Sequence, residues 1–172
     1  MNSRRRKAFT LLELVVTTTI LGIVAATAAP MFFHTTGRRL RRAAHDLATH
    51  IKLARDLAIA TQRHTWVDFN TNHESYRIYI EDPDNPGRAH RIYVTHPVDG
   101  GNFVVALDSG EFDGVRIHTA SFRGRSEVEF DWSGVPYNGN GQALTSDGTV
   151  VLVGGGTQTV RVTRDTGYVQ EE

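Results

Sequence analysis

Cysteine is absent from the 172 residues, which removes disulfide staples, thiolate metal sites and a cysteine nucleophile together. Net charge is absent as well, because 19 basic side chains cancel 19 acidic ones. The cancellation hides an asymmetry: Arg4, Arg5, Arg6 and Lys7 put four positive charges before residue 9, with no acid among them. Residues 9–172 then carry 15 basic and 19 acidic groups, a net of −4. A general polyanion binder needs a more basic surface than that. A nucleophile elbow G-x-S-x-G does not occur. Gly154-Gly155-Gly156 lacks the Lys-Ser/Thr that completes a phosphate loop, and Ser109-Gly110 and Ser133-Gly134 read as turns. No residue pair takes general acid and base roles, so an enzyme is not expected. At about 150 residues per domain, the length allows one globular unit with an appendage.

What is present begins at the amino terminus. From Leu14 to Phe33 run 20 residues without a charge. As a helix rising about 1.5 Å per residue they cover the roughly 30 Å hydrocarbon core of a bilayer. The basic cluster Arg4 to Lys7 precedes the run, so the positive-inside rule predicts a cytoplasmic amino terminus and a single pass. An ordinary secretory leader competes, with Ala26-Thr27-Ala28 as its cleavage site. Against it stand the length of the apolar run, Pro30 just beyond that site, and Glu13. A carboxylate inside a membrane helix costs about 2.5–3.5 kcal/mol at the centre and less near an end, and such residues are functional by default. A cut after Ala8 would free an amino group on Phe9 within reach of a Glu13 on a neighbouring helix. Pairing the two charges would set the axial register of packed helices.

Lys7-Ala8-Phe9-Thr10-Leu11-Leu12-Glu13-Leu14 resembles the processing motif of type IV pilins and type II secretion pseudopilins: a basic leader, a small residue, then Phe-Thr-Leu-x-Glu. The resemblance implies cleavage between Ala8 and Phe9 by a prepilin peptidase, N-methylation of Phe9, and Glu13 as the assembly carboxylate. The family pattern has Gly before the cut where this sequence has Ala8. Pro30 falls where such helices commonly carry a proline; its missing N–H predicts a kink or local melting, and Gly22 loosens the helix further. Thr17, Thr18 and Thr19 are expected to bond back to carbonyls one turn earlier.

Past this segment Leu40, Ala44, Leu47, Ile51, Ala54 and Ala58 recur at intervals of 4, 3, 4, 3 and 4, one apolar stripe on a helix. From Thr65 the period becomes two, with Val67 and Phe69, Tyr76, Ile78 and Ile80, Ile92 and Val94, Phe103, Val105 and Leu107, Val115 and Ile117, and Val128, Phe130 and Trp132. Val150 to Val153 and Val160 with Val162 follow, making about eight short strands. The expected fold is α+β and pilin-like: a long amino-terminal helix, transmembrane then amphipathic, packed on an antiparallel β-sheet domain. The expected divisions are a leader at 1–8, an assembly helix at 9–33, an amphipathic helix at 34–64 and a periplasmic β-rich domain at 65–172.

The order of the last strands, Val128 to Gly134, Gly148 to Leu152 and Thr159 to Thr163 with Gly167 following, is similar to the GspH/FimT group of minor pseudopilins and minor pilins over about residues 40–169. This resemblance implies a minor pseudopilin of a type II secretion system, held in the bacterial inner membrane with its domain in the periplasm and then built into a pseudopilus. The implied partners are prepilin peptidase, other major and minor pseudopilins, the inner-membrane assembly platform and secreted cargo. A rival is a FimT-like minor pilin in DNA uptake, for which Arg161 and Arg164, or Arg123 and Arg125, would form a weak basic patch; Asp165, Glu171 and Glu172 offset it, and nucleic acid is the least expected partner. A third reading is an exported β protein binding a ligand or glycan.

No cofactor is expected. His45 and His50 face different sides of a helix, and His73, His90, His96 and His118 lack ligand spacing, so exposed histidines without zinc are the reading. Asp82, Asp84 and Asn85 sit in a Pro-flanked turn without the full calcium-loop pattern.

Overall fold

The computed structural model describes residues 10–172, excluding the side chains of residues 27–35. The chain divides into two compact units, one ending at Thr35 and the other spanning Thr36–Glu172. The helix α1, Leu11–Thr61, contributes to both. Its backbone stays helical through Gly22 and Pro30, so the melting expected at Pro30 does not occur. Losing one N–H removes a hydrogen bond without ending the helix.

In the unit Thr36–Glu172, the stripe Leu40, Ala44, Leu47, Ile51, Ala54 and Ala58 is buried, joined by Ala43 and Ala48. The alanines let a sheet approach the helix axis closely. Thr65, at the start of β1 (Thr65–Asn70), is buried and donates its hydroxyl to the carbonyl of Ala54 at 2.8 Å, tying strand to helix.

Antiparallel pairing builds a six-stranded sheet in the order β3 (Arg91–Tyr93), β2 (Ser75–Glu81), β1, β6 (Glu127–Phe130), β7 (Pro136–Asn138). The strand β4 (Val104–Ala106) shares the β2 edge with β3. A second sheet runs β10 (Val169–Glu171), β9 (Thr157–Val162), β8 (Gly148–Val153), β5 (Arg116–Ser121). Val67, Phe69, Tyr76, Ile78, Val128 and Phe130 from the first sheet and Val150, Leu152, Val160 and Val162 from the second join the helix stripe in one core. Burial of apolar surface at about 25 cal/mol per Å² holds this α+β arrangement together.

Three expectations need correction. Ten strands occur among the described residues rather than about eight, the extra ones being the three-residue β7 and β10. Trp132 is not a strand residue: β6 ends at Phe130, where the Asp131 carboxylate accepts bonds from Ser133 N (2.9 Å) and Val135 N (3.0 Å) and turns the chain. His50 is half-buried rather than exposed; its ring meets Phe103 edge-on, and its Nδ1 lies 2.6 Å from the Tyr76 hydroxyl. Burial lowers the His50 pKa and raises that of Tyr76 well above the phenol range, so the hydroxyl donates and Nδ1 accepts.

The outer face of the six-stranded sheet is partly covered. Register places Tyr93, Tyr79, Trp66, Glu129 and Tyr137 in one row across five strands. Glu129 and Trp66 are fully buried in it. Arg88, from the segment between β2 and β3, donates to Glu129 Oε1 at 2.8 Å, and His64 Nδ1 lies 2.7 Å from the same oxygen without an aligned hydrogen bond. The Arg91 guanidinium sits 4.5 Å from the Trp66 ring centroid and pairs with Glu127. Burial nevertheless raises the Glu127 pKa, with Arg91 opposing the shift. Arg88 offsets the burial of Glu129 through Oε1, while Oε2 is buried without a hydrogen-bond partner.

Candidate functional site

The helix before Thr35 differs from the rest of the molecule. Leu11, Leu12, Leu14, Val15, Val16, Ile20, Leu21, Ile23 and Val24 are all exposed, between 47% and 80%. They occupy every side of the helix, leaving no polar face, and an apolar surface of this kind marks a site of association. Among the described residues, no helix is long and apolar enough to cross a membrane. The predicted segment 9–33 reaches beyond them, through Phe9 and the side chains of 27–33.

Glu13 lies in the first turn of α1 with its side chain exposed. Its backbone N–H donates to Thr10 Oγ1 at 3.3 Å. Thr10-Leu11-Leu12-Glu13 is thus also a capping-box sequence, in which a hydroxyl satisfies an orphan N–H of the first turn. An acid at a helix amino terminus is favoured by the helix dipole as well, so Glu13 costs the isolated helix little. Thr17, Thr18 and Thr19 bond back as expected, to Glu13 O (2.8 Å), Leu14 O (2.9 Å) and Val15 O (2.7 Å). Their hydroxyls are therefore satisfied within the helix and leave its surface apolar. Arg4, Arg5, Arg6, Lys7, Ala8 and Phe9 lie outside the described residues, as does the Pro30 side chain. Gly22 has open space around it.

The carboxy-terminal arginines are not brought together as a free patch. Arg161 makes a two-pronged contact with Glu172 (Nε 2.9 Å, Nη2 2.8 Å) and lies 3.7 Å from Asp147. The Glu172 contact raises the Arg161 pKa and lowers that of Glu172. Arg164 pairs with Asp165 at 3.2 Å and donates to the Thr145 carbonyl. Arg123 donates to the Ala143 carbonyl at 2.7 Å from a tight turn that bridges Phe122 and Arg125. At Arg161 and Arg164 a phosphate would have to displace carboxylates already in place.

Among the described residues, no group of three or more metal-ligating side chains occurs. In the turn weighed for calcium, the Asp82 carboxylate accepts from Asp84 N at 3.0 Å, closing a local turn. A shallow cavity of about 260 Å³ is lined by Thr71, Glu74, Arg116, Ile117, His118 and Val153. Its Glu74 is committed to the β5 edge, accepting from Ile117 N at 2.6 Å.

Residues 43–167 match the family described as type II transport protein GspH. The chain belongs to that family. Residues 3–29 match the prokaryotic N-terminal methylation motif, so the exposed helix of this GspH-family chain starts inside a recognised processing signal. Among curated proteins none matches the sequence. Two solved structures of the minor pseudopilin EpsH from the type II secretion system of Vibrio cholerae are similar in fold. One has a TM-score of 0.56 at 11% identity, covering 78% of this chain and 96% of that one. The other has a TM-score of 0.56 at 10% identity, covering 78% and 93%. The type IV minor pilin FimU of Pseudomonas aeruginosa matches with a TM-score of 0.49 at 14% identity, covering 80% and 91%. The family match and the resemblance made on residues 40–169 cover nearly the same stretch.

Proposed function

We propose that this GspH-family chain is a minor pseudopilin, a structural and non-catalytic subunit of a type II secretion system. One observation carries the reading: a helix apolar on all sides begins in a Phe-Thr-Leu-x-Glu signal and continues into a domain that buries one face of the same helix's second half. A helix of that kind needs lipid or other helices around it, and it receives both if it is held in the inner membrane first and in a fibre afterwards. Prepilin peptidase cuts between Ala8 and Phe9, and Phe9 is methylated. The leader cations Arg4 to Lys7 hold the amino terminus in the cytoplasm, while the domain faces the periplasm. Glu13 then pairs with the freed amine of an adjoining subunit and sets the stagger, and Gly22 and Pro30 let the helix bend as it leaves the bilayer. Other major and minor pseudopilins, the assembly platform and secreted cargo are the partners.

The neutralised state of Arg161 and Arg164 favours this reading over DNA uptake. Mass spectrometry of the membrane-extracted chain tests it. A methylated Phe9 terminus is expected; a terminus at Ala29 or Pro30 would establish an ordinary export leader and remove the proposal.

A further inference from the structure

Between Glu13 and Asp46 the chain has no acidic residue, and its only Lys or Arg residues there are Arg38, Arg39, Arg41 and Arg42. This collar begins five residues after the uncharged run ends at Phe33. α1 keeps its helical backbone across the stretch. All four arginines are exposed, while Leu40, Ala43 and Ala44 beside them are buried. The domain engages two of the cations. Arg42 pairs with Glu111 at 3.2 Å, and Arg39 lies 3.8 Å from the Asp113 carboxylate and donates to the Asp113 carbonyl at 3.1 Å. Arg41 makes no hydrogen bond or ion pair among the described residues. It shares the side of the helix away from the buried stripe with Arg38, three residues before it.

In a helix every Cα–Cβ bond tilts toward the amino terminus, which for Arg38 and Arg41 is the direction of the apolar run. With Leu14 to Phe33 in hydrocarbon, five residues at about 1.5 Å each bring Arg38 to a headgroup layer roughly 5–8 Å deep. An arginine at that level keeps its stem against apolar surface and its permanently charged, planar guanidinium among phosphate oxygens. Cleavage before Phe9 would remove Arg4 to Lys7, leaving the collar as the cluster of cations that flanks the apolar run. Interfacial cations of this kind anchor a membrane helix.

We infer that Arg38 and Arg41 bind the phosphates of anionic phospholipid on the domain's side of the membrane and hold this end of the helix at its surface. Two observations select lipid as the occupant: the charge is complementary, and the collar continues directly from a segment that is apolar on all sides. The inference rests on the membrane-held stage of the function proposed above.

The test uses the full chain, isotope-labelled and held in neutral detergent micelles, with the arginine Nε–Hε resonances read by NMR so that leader and collar are followed separately. The titrants are phosphatidylglycerol, phosphatidylcholine, inorganic phosphate, hexaglutamate and a short DNA duplex. Arg38 and Arg41 should shift with phosphatidylglycerol at concentrations at which the other four leave them unmoved. One cation near an anionic lipid surface is worth about 1 kcal/mol, or about fivefold. Arg41→Gln should therefore weaken the response at Arg38 about fivefold, and Arg41→Lys should preserve it. Because Arg41 is exposed and unpaired, neither variant should change the melting temperature. No shift with phosphatidylglycerol, an equal shift with phosphatidylcholine, inorganic phosphate, hexaglutamate or DNA, or a response indifferent to Arg41→Gln would each overturn the inference. The terminus of the chain recovered from cells separates the two readings. A methylated Phe9 with no shift removes the lipid contact alone, whereas a terminus at Ala29 or Pro30 removes the membrane stage and the contact with it.

Discussion

Two leucines on α1 should respond to the same substitution in opposite ways. Leu47 is 0% exposed in the core of the Thr36–Glu172 unit, whereas Leu21 is 67% exposed in the unit before it. Leu→Ala in a packed interior costs about 2.7–5.0 kcal/mol, the spread reflecting how far the surroundings collapse. On its own helix Leu47 has buried Ala43 and Ala44 one turn before it and buried Ile51 one turn after it. Of these only Ile51 has a rotatable side chain to swing into the void, so the cost should be about 3–5 kcal/mol. For a domain of this size about 1 kcal/mol moves the melting temperature by about 3–6 °C, giving a loss of about 10–30 °C. Leu21→Ala removes nothing packed and should stay within about 0.5 kcal/mol. Urea unfolding in detergent, followed by the fluorescence of buried Trp66, measures both. In cells the order reverses: Leu21→Ala should reduce recovery of the subunit in sheared fibres while its fold is intact. If Leu47→Ala unfolds within 1 kcal/mol of the parent, or Leu21→Ala destabilises as much as Leu47→Ala, the division of α1 into a packing half and an assembly half is wrong.

The His50 pKa is lowered by burial first and by nearby His96, with Asp46 opposing, and the Tyr76 hydroxyl facing the ring stays protonated. A depressed folded-state value gives stability that is complete above the unfolded imidazole value of about 6.5 and is lost as pH falls below it. The urea midpoint should therefore drop on acidification from about pH 7.5 to 5.5, and the difference between parent and His50→Gln should shrink over the same interval; a constant difference would refute it. Gly148→Ala would push a methyl into the Phe122 ring inside β8. It should destabilise the domain by about 1–3 kcal/mol, and an unchanged thermal midpoint would contradict this packing. With Arg161 and Arg164 engaged by carboxylates, a gel-shift assay at low salt should show no retardation of duplex DNA. Asp147→Asn combined with removal of Glu172 should create weak, salt-sensitive binding, and retardation by the parent chain would revive the DNA-uptake reading.

How much of this was legible in advance depended on the range of the interaction. The stripe from Leu40 to Ala58 was readable because helical period is a local property, and all six of its residues are buried. The main strands were readable for the same reason. Three-residue β7 and β10 were not, since Pro136-Tyr137-Asn138 and Val169-Gln170-Glu171 carry no apolar alternation of their own and pair along a neighbour's edge. Trp132 continued the spacing of Val128 and Phe130 yet left the strand, because Asp131 offered the backbone a competing set of hydrogen bonds. Glu129 occupied the polar place in the same alternation and is nonetheless fully buried. Its cover, Arg88, arrives from a segment whose position no strand period encodes.

The processing motif and the surroundings of Arg55 divide along this line. A processing motif is a run of contiguous residues, so the family resemblance carried by Ala8, Phe9 and Glu13 needs no tertiary structure to be seen. The surroundings of Arg55 form only where two loops on different sheets close on one turn of helix. Gly134 and Gly167 read singly as turn glycines, and Arg55 as one more solvated cation. What distinguishes it is a buried Nε without a hydrogen-bond partner, close to Gly134, an environment that no helical period encodes.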